Sequence, residues 1–454
     1  MSFPPGVESG ANRLRSLVSR HHYLSVFVFI LLTKALFWTW SLAVAHWFPV
    51  PPETYFQGGH HYGIDPRIAE HRVDFLSLWI YADAEWYLSI AERGYPNTDR
   101  MQKDAAAHAA RIGFPYTFAP GDPVAKYRKY TEWDSDAKYA FFPLYPLSIA
   151  MVRLVLPLHL AAFAATNAIS GLAFLAVYAL AFTYFSDKGL AFRSLALLVF
   201  YPFSAFYQAY YSEGLFLLLA VLSFYCLKKG RTGLSALCGA LLALARATGV
   251  AILVPLLVLA VKQGLPAETR AVKRAQKLKR KTAVRIGAID WSSVRMVCLT
   301  PLGLAPFLLF NYFNTGHWNY FALAQRKWGY EGGAFLDNFL HNIFVAGSNF
   351  FRLKLLSDHD CQVDYAMMLL SLAVVVLSYK RLPLELWSFS ALQWLMPLLL
   401  KDLMSFSRHL SISFPLFIFL AGIRQRFVWW ALLCCFLAGS LVIDGMMVTW
   451  HWVG

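Results

Sequence analysis

The chain alternates between apolar runs and short polar turns from near its start to its end. The first run extends from Tyr23 to Val50, and later ones include Leu160 to Phe185 and Val363 to Tyr379. About 20 apolar residues rising 1.5 Å each cross a hydrocarbon core of about 30 Å, so these runs predict membrane-spanning helices. After the first, the pattern predicts spans at 160–185, 191–207, 210–227, 233–246, 249–262, 294–314, 363–379, 383–400, 408–422 and 427–449. The expected fold class is therefore an all-α polytopic membrane protein with about 11 transmembrane helices. Tandem apolar helices exclude a transmembrane barrel, whose strands alternate over about 10 residues. The segment from Phe141 to Pro157 carries Pro143 and Pro146 and reads as a re-entrant or surface helix, because proline costs a helix interior about 3 kcal/mol.

The charges orient this pattern. Arg13, Arg15 and Arg20 precede the first span, which places a cytoplasmic N-terminus at 1–22 under the positive-inside rule. The apolar run that follows is too long for the core of a cleaved signal and is expected to remain as the first span. Residues 48–139 then form a long first extracytoplasmic loop that carries short helices, with ten Lys and Arg against thirteen Asp and Glu. Nine Lys and Arg lie between Lys262 and Arg285 against the single acid Glu268, so 263–293 reads as a basic cytoplasmic loop facing anionic lipid. The turns Asp187-Lys188, Lys228 to Arg231, Lys380-Arg381 and Arg424 to Arg426 fall on the same side in this topology. The whole chain, 1–454, reads as one membrane domain with its active face outside. The expected location is the bacterial inner membrane, or the endoplasmic reticulum membrane in a eukaryote.

Composition agrees: 58% of residues are hydrophobic and 15% charged, against about 25% charged in soluble domains. The net charge of +15 resides largely in the basic turns and does not indicate nucleic-acid binding, since no zinc, helix-turn-helix or RNA-binding pattern accompanies it. Five of six cysteines sit in apolar stretches, which supports neither a disulfide framework nor a zinc site. His60 and His61 lack a carboxylate or cysteine at ligand spacing. Neither a P-loop, a G-x-G-x-x-G fingerprint nor a G-x-S-x-G elbow is present.

The remaining polar residues gather at predicted outer turns. Asp83 stands among aromatics in Leu78 to Ala91, where a carboxylate is suited to act as general base toward a sugar hydroxyl, with Trp86 and Tyr87 as stacking surfaces. The plainer alternative is an aspartate capping a surface helix. The turn Tyr201 to Gly214 offers Tyr211 and Glu213 to a polar head group, or else an interfacial aromatic belt. In Arg246 to Gly249, the arginine suits a bidentate phosphate contact and the glycine permits close backbone approach. Arg408, beside His409 and near Lys401, is a second phosphate candidate, with snorkelling to lipid phosphates as the alternative. Gln325 and Trp328 are candidate substrate contacts or parts of a solvated interface. Ionisable residues at the edges of apolar segments usually face a cavity or a partner.

Taken in order, these segments resemble the PIG-V type mannosyltransferases, the membrane enzymes that add the second mannose in GPI-anchor synthesis, and their bacterial relatives. The tryptophan-aspartate motif with its following Ile-Ala-x-x-Gly-Tyr corresponds to Asp83 to Tyr95, and Phe-Phe-Pro-x-x-Pro to Phe141 to Pro146. The Pro-x-Ser…Tyr-Ser-Glu motif corresponds to Pro202, Ser204, Tyr211, Ser212 and Glu213, the Arg-x-x-Gly turn to Arg246 to Gly249, and Ser-x-x-Arg-Tyr to Ser405 to His409. Tyr81-Ala82 replaces the family's usual Arg-Trp, and His409 its usual tyrosine.

The resemblance implies a GT-C glycosyltransferase that moves mannose or a similar hexose, with inversion, from a polyprenyl-phosphate sugar to a glycan or glycolipid acceptor. It implies Asp83 as the base and Arg246 and Arg408, with Lys401, as donor-phosphate contacts. Trp86, Tyr87, Tyr211, Glu213, Gln325, Trp328 and His409 would contact substrate. Ala84 follows Asp83, so there is no adjacent carboxylate pair, and metal independence with no cofactor is expected. The competing classes are a lipid-linked sugar flippase or transporter, for which internal inverted repeats would speak, and a structural subunit of a glycosylation complex. The residues do not decide whether a partner subunit is needed.

Overall fold

A computed structural model of the chain describes residues 21–49, 74–97, 137–264, 290–325, 337–344, 362–399, 403 and 405–451. Among the described residues the chain is helical, without strands. Helix α1, His22–Trp47, buries Val26, Ile30, Thr33, Lys34, Phe37, Ser41 and Val44 on one face at the spacing of helical turns. Its other face exposes Leu24, Phe27, Leu31 and Leu32, so the helix is apolar all round, as membrane helices are.

Three further helical stretches are long and apolar enough to cross a membrane: Leu158–Phe185, Trp291–Thr315 and Arg426–Val448. Two of these are the single helices α4, Leu158–Phe185, and α16, Arg426–Val448. Trp291–Thr315 is composite, with α9 at Trp291–Val297, a 3-10 turn at Thr300–Leu304 and α10 at Ala305–Thr315. The other apolar segments fold as helices too, each shorter than the about 20 residues a full crossing needs. They are α5 Lys188–Val199, α6 Glu213–Lys228, α7 Thr232–Ala245, α8 Leu253–Gly264, α12 Gln362–Ser378, α13 Leu384–Leu395 and α15 Phe414–Ala421.

Two local departures shape the site. The predicted continuous helix at 408–422 is broken into α14, Phe406–Leu410, and α15. Ser411 Oγ donates to the Arg408 carbonyl (2.6 Å) and Pro415 opens the next helix, so side chain and proline compete with the helical ladder between them. The proline-rich stretch 141–157 holds α3, Leu144–Arg153, ten residues long. Within the long loop, α2 covers Ala84–Arg93, and α11 covers Tyr320–Ala324 after the composite span.

Polar side chains tie the apolar helices together. Trp40 Nε1 donates to the Leu441 carbonyl (2.8 Å) and Ser41 Oγ to Asp444 Oδ2 (2.5 Å), joining α1 to α16. Lys34 of α1 donates to Asn167 and Ser170 of α4 and to Gln208, which follows the 3-10 turn Pro202–Tyr207. Such hydrogen bonds orient helices where burial of apolar surface against lipid supplies little drive. They also set the turn after α5 against α1 and α4, and that turn carries Tyr211 and leads into Glu213.

Candidate functional site

Asp83 occupies the N-cap position of α2, yet its side chain makes no capping hydrogen bond. Its Oδ2 lies 3.3 Å from a terminal nitrogen of Arg408 instead. The backbone that delivers it is unusual: Ala82 has φ +40°, a left-handed conformation that costs a residue with a Cβ and persists only where its surroundings hold it. Tyr211 supplies part of that hold. The Asp83 amide donates to the Tyr211 hydroxyl (3.1 Å), which donates to the Tyr81 carbonyl (2.9 Å).

Glu213 is the first residue of α6, where a carboxylate suits the helix dipole. It is almost fully buried, and its Oε1 sits 2.9 Å from a terminal nitrogen of Arg246 and 3.3 Å from Arg408 Nε. Arg246 interrupts the chain between α7 and the 3-10 helix Ala247–Ile252 with extended backbone angles, which aims it away from the helix it ends. The turn is tight: a Cβ on Gly249 would fall 2.3 Å from the Leu242 carbonyl oxygen, so glycine is required there by close approach.

Arg408 completes the cluster. Its guanidinium lies 5.2 Å from the ring centroids of both Phe206 and Tyr211, a cation–π arrangement that favours a planar cation with few water contacts. Two carboxylates and two guanidiniums thus form a quartet whose formal charges cancel. Burial pushes the Asp83 carboxyl above its ordinary value; Arg408 opposes that shift and Glu213 adds to it. Not all the capacity is used: Glu213 Oε2 and Arg408 Nε are buried without a hydrogen bond, although Nε has its ion-pair contact with Glu213. Asp83 keeps a quarter of its side chain exposed, and Arg246 18% of its own, so the quartet has an accessible side.

The aromatic residues beside Asp83 face inward. Trp86 stacks on Phe141 with centroids 6.0 Å apart, and Tyr87 packs edge-on against Phe141 and Tyr145 at 5.2 and 5.0 Å. The Tyr87 hydroxyl pairs with Ser212 Oγ at 3.1 Å. Trp86 and Tyr87, expected from the sequence as stacking surfaces, are buried beside Asp83 and pack on protein rings. His409 is part-buried on α14, within electrostatic reach of Arg246 and Arg408. Gln325 ends α11, and among the described residues no hydrogen bond joins it to the quartet. Trp328, Lys401, His60 and His61 lie outside the described residues, as do most of the basic loop and of the long first loop. Among the described residues, no group of three or more His, Cys, Asp or Glu stands together as a metal site.

Asp364 is a part of the site that the sequence pattern did not single out. It lies near the start of α12, and its two carboxylate oxygens accept the backbone amides of Ser405 (2.9 Å) and Ser407 (2.7 Å) at the head of α14. An acid at the edge of the apolar stretch 363–379 is the same signal that marked Glu213 and Arg408. The structure brings together Asp83, Tyr87, Tyr211, Glu213, Arg246 and Arg408, from four separate stretches of sequence. In comparisons with protein families, curated proteins and solved structures, nothing matches this chain.

Proposed function

We propose that the protein is an inverting glycosyltransferase of the GT-C type, spanning the membrane about eleven times, with the Asp83 quartet as its active site on the extracytoplasmic face. The donor in this reading is a polyprenyl-phosphate sugar, mannose or a similar hexose, and the acceptor is a glycan or glycolipid hydroxyl. A transferase on that face needs a donor carried across on a lipid, because nucleotide sugars are made in the cytoplasm.

The observation that carries the reading is the environment of Asp83. Its carboxylate is part-exposed and does not cap its own helix. It is held by an arginine that also contacts a second, buried carboxylate. Burial raises its proton affinity, which suits a general base. In the proposed step the acceptor hydroxyl oxygen forms a bond to the anomeric carbon while the bond from that carbon to the phosphate oxygen breaks. Asp83 takes the hydroxyl proton, and the electron pair of the broken bond leaves with the polyprenyl phosphate.

Arg246 is the better placed of the two arginines to meet the developing phosphate charge. One of its terminal nitrogens contacts Glu213, and the rest of its guanidinium has no partner among the described residues. Stabilising charge that appears in the transition state is the larger part of many enzymatic accelerations. Arg408, set against the adjacent rings of Phe206 and Tyr211, would fix Asp83 and contribute to the same field.

The test is incubation of the purified protein with polyprenyl-phosphate mannose and a panel of oligosaccharide and glycolipid acceptors. Transfer with inversion that is lost in Asp83→Asn supports the assignment. Wild-type protein without transfer to any acceptor, or transfer that survives the substitution, overturns it.

A further inference from the structure

We propose that Asp364 is a positioning residue for the site: by holding the Ser405–Ser407 backbone it presents Arg408 to Asp83 and Glu213. The inference rests on the reading of Asp83 as the base and adds to it a residue that makes no contact with Asp83.

The geometry is specific. Arg408 sits in a helix of five residues, too short to hold its own orientation through the helical ladder. Its entry residue, Ser405, has φ +66°, a left-handed angle that disfavours a side chain with a Cβ. What keeps this turn in place is the pair of amide hydrogen bonds accepted by Asp364, at 2.9 and 2.7 Å. Two tyrosines from the turn after α5 hold the other side: Tyr201 Oη donates to the Ser407 carbonyl and Tyr207 Oη to the Ser411 carbonyl, each at 2.9 Å. A carboxylate that accepts two amides is a charge-assisted anchor, stronger than the neutral hydroxyl contacts. Loss of it frees the one segment whose side chain bridges both acids of the quartet.

The consequence can be read on Asp83 itself. The charged and titratable groups that face it are Arg408, Glu213 and Arg246, with the Tyr211 and Tyr87 hydroxyls beside it. Arg408 holds its proton affinity down. A displaced Arg408 therefore raises the pH at which Asp83 ionises. Removing the Asp364 charge acts in the opposite direction if it works directly through space, since loss of a nearby negative charge makes an aspartate more acidic. The sign of the shift separates positioning from plain electrostatics.

The experiment labels the purified protein in detergent with a carbodiimide, which reacts with protonated carboxyls, and follows Asp83 by peptide mass spectrometry across pH. In Asp364→Asn the labelling midpoint should move to higher pH, as it should in Arg408→Gln, and the double variant should move no further than Arg408→Gln alone. Asp364→Glu keeps the charge and lengthens the reach by one methylene; it should show a smaller upward move and serves where Asp364→Asn does not fold. Midpoints at or below the wild-type value in these Asp364 variants overturn the proposal. In the transfer assay, Asp364→Asn should lose up to roughly 10²-fold in kcat, the scale of a misplaced catalytic geometry, with the acid limb of its pH profile displaced upward. A kcat loss with an unmoved acid limb counts against it. The labelling needs no substrate, so absence of transfer by wild type would sink the transferase reading while the Asp364 result stands or falls separately.

Discussion

Lys34 and the Asp83 quartet are two buried groups of charge that share the turn from Pro202 to Glu213, and they are built on opposite plans. The Lys34 ammonium has three N–H groups and uses all three, on Asn167 and Ser170 at 2.9 Å and on Gln208 at 3.3 Å. Its partners are neutral, and Gln208 is itself held by Trp38 Nε1 at 3.3 Å. The quartet pairs full charges, leaves Glu213 Oε2 unbonded, keeps part of Asp83 and Arg246 accessible, and stands on left-handed backbone at Ala82 and Ser405. A saturated polar group serves as a strut, because it has nothing left to offer a ligand. An incompletely satisfied one with an open side, held in strained backbone, is where chemistry or binding is expected.

The difference can be broken by substitutions that separate activity from stability. The largest effect is expected in Asp83→Asn, which should lower turnover by roughly 10² to 10⁴-fold while leaving the melting temperature in detergent nearly unchanged. Lys34→Met should do the reverse. It deprives buried acceptors of their donor, at about 1–3 kcal/mol for a group left unsatisfied, and so lowers the melting temperature with turnover per folded molecule retained. A Lys34 variant that is stable yet inactive would place that lysine with the chemistry and end the contrast.

The pH dependence sharpens the quartet's side of the comparison. Because burial raises the Asp83 carboxyl, its base form should be lost on the acid side at a pH above an aspartate's ordinary value. Glu213 adds to that rise, so Glu213→Gln should move the acid limb of the pH–rate profile to lower pH; a move upward would mean that Glu213 acts on Asp83 chiefly by holding Arg408 in place. The smallest effect is expected in Tyr211→Phe, which removes the hydroxyl between the Asp83 amide and the Tyr81 carbonyl. Its cost should be about 1 kcal/mol, measured as a loss of roughly fivefold in turnover or a slight drop in melting temperature.

Much of the helical layout was legible in the sequence. The run from Tyr23, the run ending at Phe185 and the last run each became a single long helix, because hydropathy over a window reports where a backbone must satisfy its own hydrogen bonds. The break at Ser411 to Ser413 was only partly legible: Pro415 stands in the sequence, whereas the bonds of the Ser411 and Tyr207 hydroxyls to backbone carbonyls arise only in the fold. The acids and arginines of the quartet were visible as scarce charges beside apolar segments, whereas Asp364, which carries the same signal, was not singled out. Their pairing was not visible.

What the sequence determined by itself is thus the set of helices, their apolar character, and the short list of ionisable residues placed where membrane helices end. These are properties of neighbouring residues. Tertiary structure alone decided that Asp83 meets Arg408 across 325 positions, that one arginine joins Asp83 to Glu213, and that Trp86 and Tyr87 turn inward onto Phe141 and Tyr145. The physical reason is range: hydropathy and helix signals act within a few turns of chain, whereas an ion pair forms only where packing of distant helices leaves two charges no better partner.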